Sequence, residues 1–252
     1  MAAQTNADRI RERVKATRGT GARYLSVAGF AEGVQLSVPA IPVMALFGAA
    51  FGAFAAQKGL PLLEATLMSV LMFAGASQFV ATEMWTEPMT ASVIATLCLI
   101  TATVNMRFML MTASLRPWLG GLPAWQTYPA LSLLTEPGWL IAMRYRAAGG
   151  TDHSIILSSG IALWLIWIAS TMLGYLLGAV VADPRRYALD LVMPVFFTVM
   201  LVPLWSGPRR AIAWVVAGAV ALVTAELVSG SWYIIAGTVA GTLTAGMTDE
   251  RA

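Results

Sequence analysis

The sequence predicts an all-α protein built as a polytopic transmembrane helical bundle, and three observations carry that expectation. Of the 252 residues, 58% are hydrophobic and only 12% are charged, against roughly 45–50% and 25% in ordinary soluble chains. The mean hydropathy of +0.72 agrees. The apolar residues also fall in runs of about 20, the length a helix needs to cross the hydrocarbon core. Gly and Pro lie scattered inside those runs without a repeating period, so collagen-like, disordered and coiled-coil classes are excluded.

Residues 1–27 form a basic segment holding Arg9, Arg11, Arg13, Lys15, Arg18 and Arg23. A net charge of +3 placed this way reads as orientation charge at the cytoplasmic leaflet rather than as an arm for nucleic acid. The first helix then serves as its own insertion signal. Residues 28–248 form a single transmembrane domain in this reading, with apolar segments at about 34–57, 62–85, 90–116, 122–143, 154–182, 187–205, 211–228 and 231–247. Eight spans is the expectation and seven the alternative. Turn signals such as Lys58-Gly59, Glu87-Pro88, Gly120-Gly121, Asp183-Pro184 and Gly207-Pro208 separate them. With the N-terminus inside, Arg144, Arg146, Arg209, Arg210 and Arg251 fall on the cytoplasmic side, as the positive-inside rule asks, while Arg185 and Arg186 do not. The single cysteine, Cys98, has no disulfide partner and reads as a small buried apolar residue.

An internal repeat joins the halves at about 28–143 and 154–247. Gly48, Gly52, Ala53, Leu63 and Glu64 recur as Gly174, Gly178, Ala179, Leu189 and Asp190 at a constant offset. Glycines four apart share one helical face and permit close helix packing, and repeats of this kind are frequent in secondary transporters.

Ionisable residues at membrane depth are costly unless paired or hydrated, which makes each a candidate for function. Glu83 and Glu226 sit near span ends. Glu64 and Asp190 open their spans, where helix N-termini favour acids, and are proton-coupling candidates. Arg107 interrupts the run TATVNMRFMLM and requires an anionic partner such as Glu136, Glu64 or a substrate carboxylate. In Phe73-Ala74-Gly75-Ala76-Ser77-Gln78-Phe79, small residues precede Ser and Gln, a pattern expected to unwind a helix and expose ligand-holding groups. Leu134-Thr135-Glu136-Pro137 reads similarly, since Pro137 breaks the helical ladder beside a carboxylate. Gly75, Ser77, Gln78, Asn105, Arg107 and Glu136 are thus the expected substrate-binding residues, with Glu64, Glu136 and Asp190 as proton carriers and no metal or cofactor.

The string FAGASQF at 73–79, Asn105-x-Arg107 followed by Ala113-Ser114-Leu115-x-Pro117, the Phe47-Gly48-x-x-Phe51-Gly52 run and the step from Leu134 to Glu136 resemble the AzlC family. Glu64 after Leu63, and Pro194 with Phe197, extend the resemblance over roughly 39–248. It implies the large subunit of a bacterial exporter of valine, leucine, isoleucine or analogues in the inner membrane. It also implies a small hydrophobic AzlD-type partner and drive by the proton gradient. The sequence differs from the family pattern at Leu46, where Pro is usual, at Phe108, where His is common, and at Thr135-Glu136-Pro137, where Thr-Asp-Glu is usual. Two rivals stand beside this reading: an intramembrane hydrolase built on Ser77, and an accessory membrane subunit with no path of its own. The first lacks a nearby base in sequence, since the one histidine, His153, is expected to be solvated beside Asp152.

Overall fold

The computed structural model describes residues 26–85, 90–180, 198, 207–228 and 232–249, and all its regular elements are helical. The helices are α1 (Val27–Ser37), α2 (Ile41–Gln57), α3 (Leu62–Leu71), α4 (Gly75–Glu83), α5 (Ala91–Leu119), α6 (Ala124–Ser132), α7 (Glu136–Ala147), α8 (Ser154–Val180), α9 (Pro208–Leu227) and α10 (Trp232–Asp249). They fall into two compact units, Met1–Thr82 with Asn105–Leu189, and Glu83–Val104 with Asp190–Ala252. The basic segment before Ser26, the segment at 187–205 apart from Thr198, Arg185, Arg186, Leu189, Asp190, Pro194, Phe197 and Arg251 lie outside the described residues.

Three helical stretches among the described residues are long and apolar enough to cross a membrane: Val27–Gln57, Ala91–Leu119 and Ser154–Ala179. The first begins about two turns earlier than the apolar run at 34–57 predicts. A 3-10 turn at Val38–Ala40 joins α1 to α2, because Pro39 and Pro42 lack the N–H groups that a continuous α-helical ladder requires.

The frame of the first unit is the contact of α1 and α2 with α8. A Cβ on Gly52 would lie 2.0 Å from the Thr171 carbonyl oxygen, and one on Gly174 would lie 2.0 Å from that of Ala49. Gly178 meets Ala53 and Gly48 meets Ser170 in the same way, and nearer the helix starts Gly33 meets Ser158. Contact positions rise together along both helices, so the helices run parallel. The glycines of the sequence repeat therefore pack upon each other, which explains why both copies need them. At the shared N-terminal end, Ser26 Oγ caps α1 by accepting from Gly29 N–H at 2.8 Å and donates to Asp152 Oδ2. Asp152 in turn accepts from the Ser154 N–H at 2.9 Å.

The segments expected as single spans at 62–85 and 122–143 are each a pair of half-helices, and each pair folds back on itself. α3 descends along α8: the Leu60 carbonyl accepts from Tyr175 Oη at 2.7 Å, Ser69 pairs with Thr171 at 3.0 Å, and the Val70 carbonyl accepts from Trp164 Nε1 at 3.2 Å. α4 then returns, taking Phe79 to Phe51 and Phe54, with ring centroids 5.6 and 5.7 Å away. The second pair starts from the other end of α8. Its break at Leu133 packs on Gly160, and α7 comes back so that Tyr145 clusters with Ile155, Leu36 and Trp118. Run length alone does not distinguish a segment that enters and returns from one that crosses.

In the second unit α9 and α10 pack antiparallel, with Gly237 against Ala217 and Ala221 and Gly241 against Ala213 and Ala217. Glu226 is exposed near the end of α9 and Glu83 at the end of α4, as their positions near span ends predict. Cys98 is exposed rather than buried, since in a membrane an apolar residue has no need of protein cover.

Replacing Gly52 or Gly174 by Leu should force α2 and α8 apart. Thermal unfolding in detergent is expected to show a loss of about 1–3 kcal/mol or more. Gly218→Ala, where nothing lies within 4 Å of the added atom, should leave the melting temperature unchanged or raised.

Candidate functional site

The two breaks organise the polar side chains of the first unit. At the first, residues 72–74 are not helical. Had α3 continued, the Val70 carbonyl would accept from the Ala74 N–H. That N–H turns instead to the Met72 carbonyl at 2.8 Å, and the Trp164 indole satisfies Val70. The break thus falls just before the Gly-Ala-Ser-Gln stretch, which is itself the first turn of α4. Gly75 is required because the Trp167 ring lies on its Cα: a Cβ there would be 2.7 Å from the indole.

Gln78 is fully buried, and both ends of its amide are engaged. Nε2 donates to Ser69 Oγ at 3.1 Å, and Oε1 accepts from Trp167 Nε1 at 3.1 Å. With the Ser69–Thr171 hydroxyl pair, this makes a closed network joining both half-helices to α8. Such a network is stabilising because every member finds a partner in a low-dielectric setting. Gly75 and Gln78 therefore hold the break in shape.

Ser77, next in the chain, points elsewhere. Its hydroxyl donates to Asn105 Oδ1 on α5 at 2.9 Å. Two residues along α5, the Arg107 Nη1 lies 2.5 Å from Glu136 Oε1, and each side chain keeps about a third of its surface exposed (32% and 33%). Residues two apart leave a helix on different sides, so Asn105 serves the first hairpin and Arg107 the second. Glu136 is the first residue of α7, where the helix dipole favours an anion. Thr135 caps that helix by accepting from the Gly138 N–H at 3.3 Å. Trp139 Nε1 donates to Ser114 Oγ at 2.8 Å, fixing α7 along α5. The Nε of Arg107 is buried and has no hydrogen-bond acceptor among the described residues.

The structure thus brings together Ser77 with Asn105 and Arg107 with Glu136. It places Gln78 among a different set of partners. Glu64 is exposed in the first turn of α3, away from the ion pair. Two buried ionisable side chains depart from the sequence expectations, Glu32 by being absent from them and His153 by its burial. Glu32 is buried in α1, and extending the first span back to Val27 would have found it. His153 is also buried, not solvated: Nε2 lies 3.2 Å from the Trp118 carbonyl oxygen, and its ring lies 5.2 Å from that of Trp118. It is not beside Ser77, whose hydroxyl is committed to Asn105. No group of three or more metal-ligating side chains occurs among the described residues.

The sequence profile of the AzlC protein family matches residues 39–181. The chain belongs to the AzlC family. The match takes in both hairpins, Arg107 and all of α8, and it also covers Glu83–Val104 of the second unit. A relative from Archaeoglobus fulgidus, described as an uncharacterized membrane protein, is 28% identical over 225 residues, covering 88% of this chain and 97% of that protein. No solved structure matches the chain. This AzlC-family chain is a membrane protein with a transporter-type role.

Gln78→Leu should leave the Trp167 N–H buried without an acceptor, a loss of about 1–3 kcal/mol. A thermal-shift double-mutant cycle with Trp167→Phe is expected to show coupling of at least about 0.5 kcal/mol. Additive losses would mean that the amide does not hold the indole.

Proposed function

We propose that this chain exports branched-chain amino acids, valine, leucine, isoleucine or analogues, by proton-coupled alternating access. It sits in the bacterial inner membrane with its N-terminus in the cytoplasm and works with a small hydrophobic AzlD-type subunit. The observation that carries the reading is the state of Arg107. One edge of its guanidinium meets Glu136, while its buried Nε has no acceptor among the described residues. A guanidinium offers donors in a planar fork that matches a second carboxylate, and an amino acid brings one.

The zwitterion then has a complement for each charge: its carboxylate takes the Nε side of Arg107, and its ammonium takes Glu136. An apolar side chain suits the surroundings, where Phe108 lies beside the guanidinium with its ring centre 5.3 Å away. Protonation of Glu136 removes the charge that holds both Arg107 and the ammonium, so the substrate leaves as the proton arrives. Reversal of that exchange on the other face completes the cycle. Glu64 and Asp190 remain the further proton-carrying candidates, and Gly75 and Gln78 support the binding groups.

Reconstituted vesicles loaded with labelled leucine or valine test this directly, with and without the small subunit. Glu136→Gln should abolish acceleration of transport by a pH gradient while the protein remains folded in the membrane. Arg107→Lys should lower transport at least about tenfold, because the forked geometry is lost. Unchanged gradient dependence in Glu136→Gln, or an unchanged KM in Arg107→Lys, would contradict the assignment.

A further inference from the structure

The two hairpins are related to each other in a way that the repeat of glycines does not describe. Gly59-Leu60-Pro61 leads into the first and Gly121-Leu122-Pro123 into the second. Their first half-helices begin at Leu62 and Ala124, 62 positions apart, and both break after about three turns, at 72–74 and at 133–135. Each is preceded by one of the long apolar helices. They lie on α8 from opposite ends: the first alongside its C-terminal half, with Tyr175 and Thr171, and the second against its N-terminal half, with Ile155, Ile156 and Gly160. Their tips meet α8 at Trp164 and Gly160, one helical turn or about 6 Å apart. On α5 they meet Asn105 and Arg107, the middle of a 29-residue helix.

We infer that the hairpins are inverted copies of one unit and form the two gates of a single path, one for each face of the membrane. The inference rests on the transport reading for what passes between the tips. The first gate is latched by the neutral bond from Ser77 to Asn105, and the second by the ion pair of Glu136 with Arg107. A zwitterion between the tips competes with the charged latch and leaves the neutral one closed, so binding from the second face opens that side alone. Ser77 and Asn105 are positioning residues: they keep the first tip on α5 while Arg107 exchanges partners. Irregular backbone at membrane depth is tolerated where protein buries it or where it lines a cavity; α8 and α5 cover both tips, and the path between them is the cavity that the inference requires.

Single cysteines in a Cys98→Ser background test the arrangement, using a membrane-impermeant maleimide on right-side-out and inverted vesicles. Lys58→Cys and Glu83→Cys should label from one face, and Gly121→Cys and Ala147→Cys from the other. Labelling of Lys58→Cys and Glu83→Cys from opposite faces would overturn the inference whether or not leucine is transported. Loss of leucine transport with the predicted sidedness would instead overturn only the substrate. For the gates, Ser77→Ala and Asn105→Ala should each raise labelling of Ala74→Cys from the Lys58 face several-fold and leave labelling of Leu133→Cys from the other face unchanged. Equal loosening of both tips would mark the bond as merely structural and overturn its role as a gate latch.

Discussion

A helix broken inside a membrane exposes backbone groups that lipid cannot bond, so every such break must be sealed by protein or open onto a watered cavity. At the first break of this chain the seal comes from α8. Trp164 and Trp167 lie three residues apart on one helical face. One indole caps the Val70 carbonyl and the other grips the Gln78 amide while lying over Gly75. Without these donors the half-helices would gain by rejoining into one continuous helix, and the polar groups of residues 75–78 would lose their placement. The site is accordingly a consequence of satisfied hydrogen bonds rather than of hydrophobic burial, which offers little direction in an apolar solvent.

The small residues supply the other requirement, a rigid post to which the breaks are fastened. Gly48, Gly52, Gly174 and Gly178 let α2 and α8 approach until backbone meets backbone. Dispersion over that contact replaces the hydrophobic drive that is missing between helices in lipid. The post explains the even spacing of function along α8. Its N-terminal third receives the second hairpin up to its tip at Gly160, its middle receives the tip of the first at Trp164, and its C-terminal third receives the start of the first at Tyr175. The two scales of repetition also fit together, because the offset of the glycine motif is about twice that of the hairpins. A unit inverted twice recovers its original direction, as the parallel course of α2 and α8 requires.

Much of this was legible in the residues. Composition and run length identify an all-α membrane protein, since few other structures can bury so apolar a chain. The Thr135-Glu136-Pro137 step marks a break because Pro137 withholds a donor, and Arg107 demands an acid because an unpaired guanidinium is untenable at depth. Those needs leave Glu136, Glu64 and a substrate carboxylate as partners, and the structure places Arg107 against Glu136. Gln78 was read as a ligand group because an amide offers both donor and acceptor. The same property suits it to bridge Ser69 and Trp167, and sequence does not say which partner wins. The return of the half-helices was also hidden, for two half-helices and one span bury equal lengths of apolar chain. Polar neighbours at Thr151, Asp152 and Ser154 place His153 in solvent on sequence alone, and a first span begun at 34 leaves Glu32 out, whereas helix packing decides the burial of both.

The account turns on Arg107 holding two carboxylates in turn, one from the protein and one from the solute. A structure of the chain in lipid nanodiscs with leucine bound is the most direct test. Ligand density between the hairpin tips, with its carboxylate within hydrogen-bond distance of the Arg107 Nε, is the predicted result. Leucine bound away from α5, with Arg107 still closed on Glu136 alone, would contradict it.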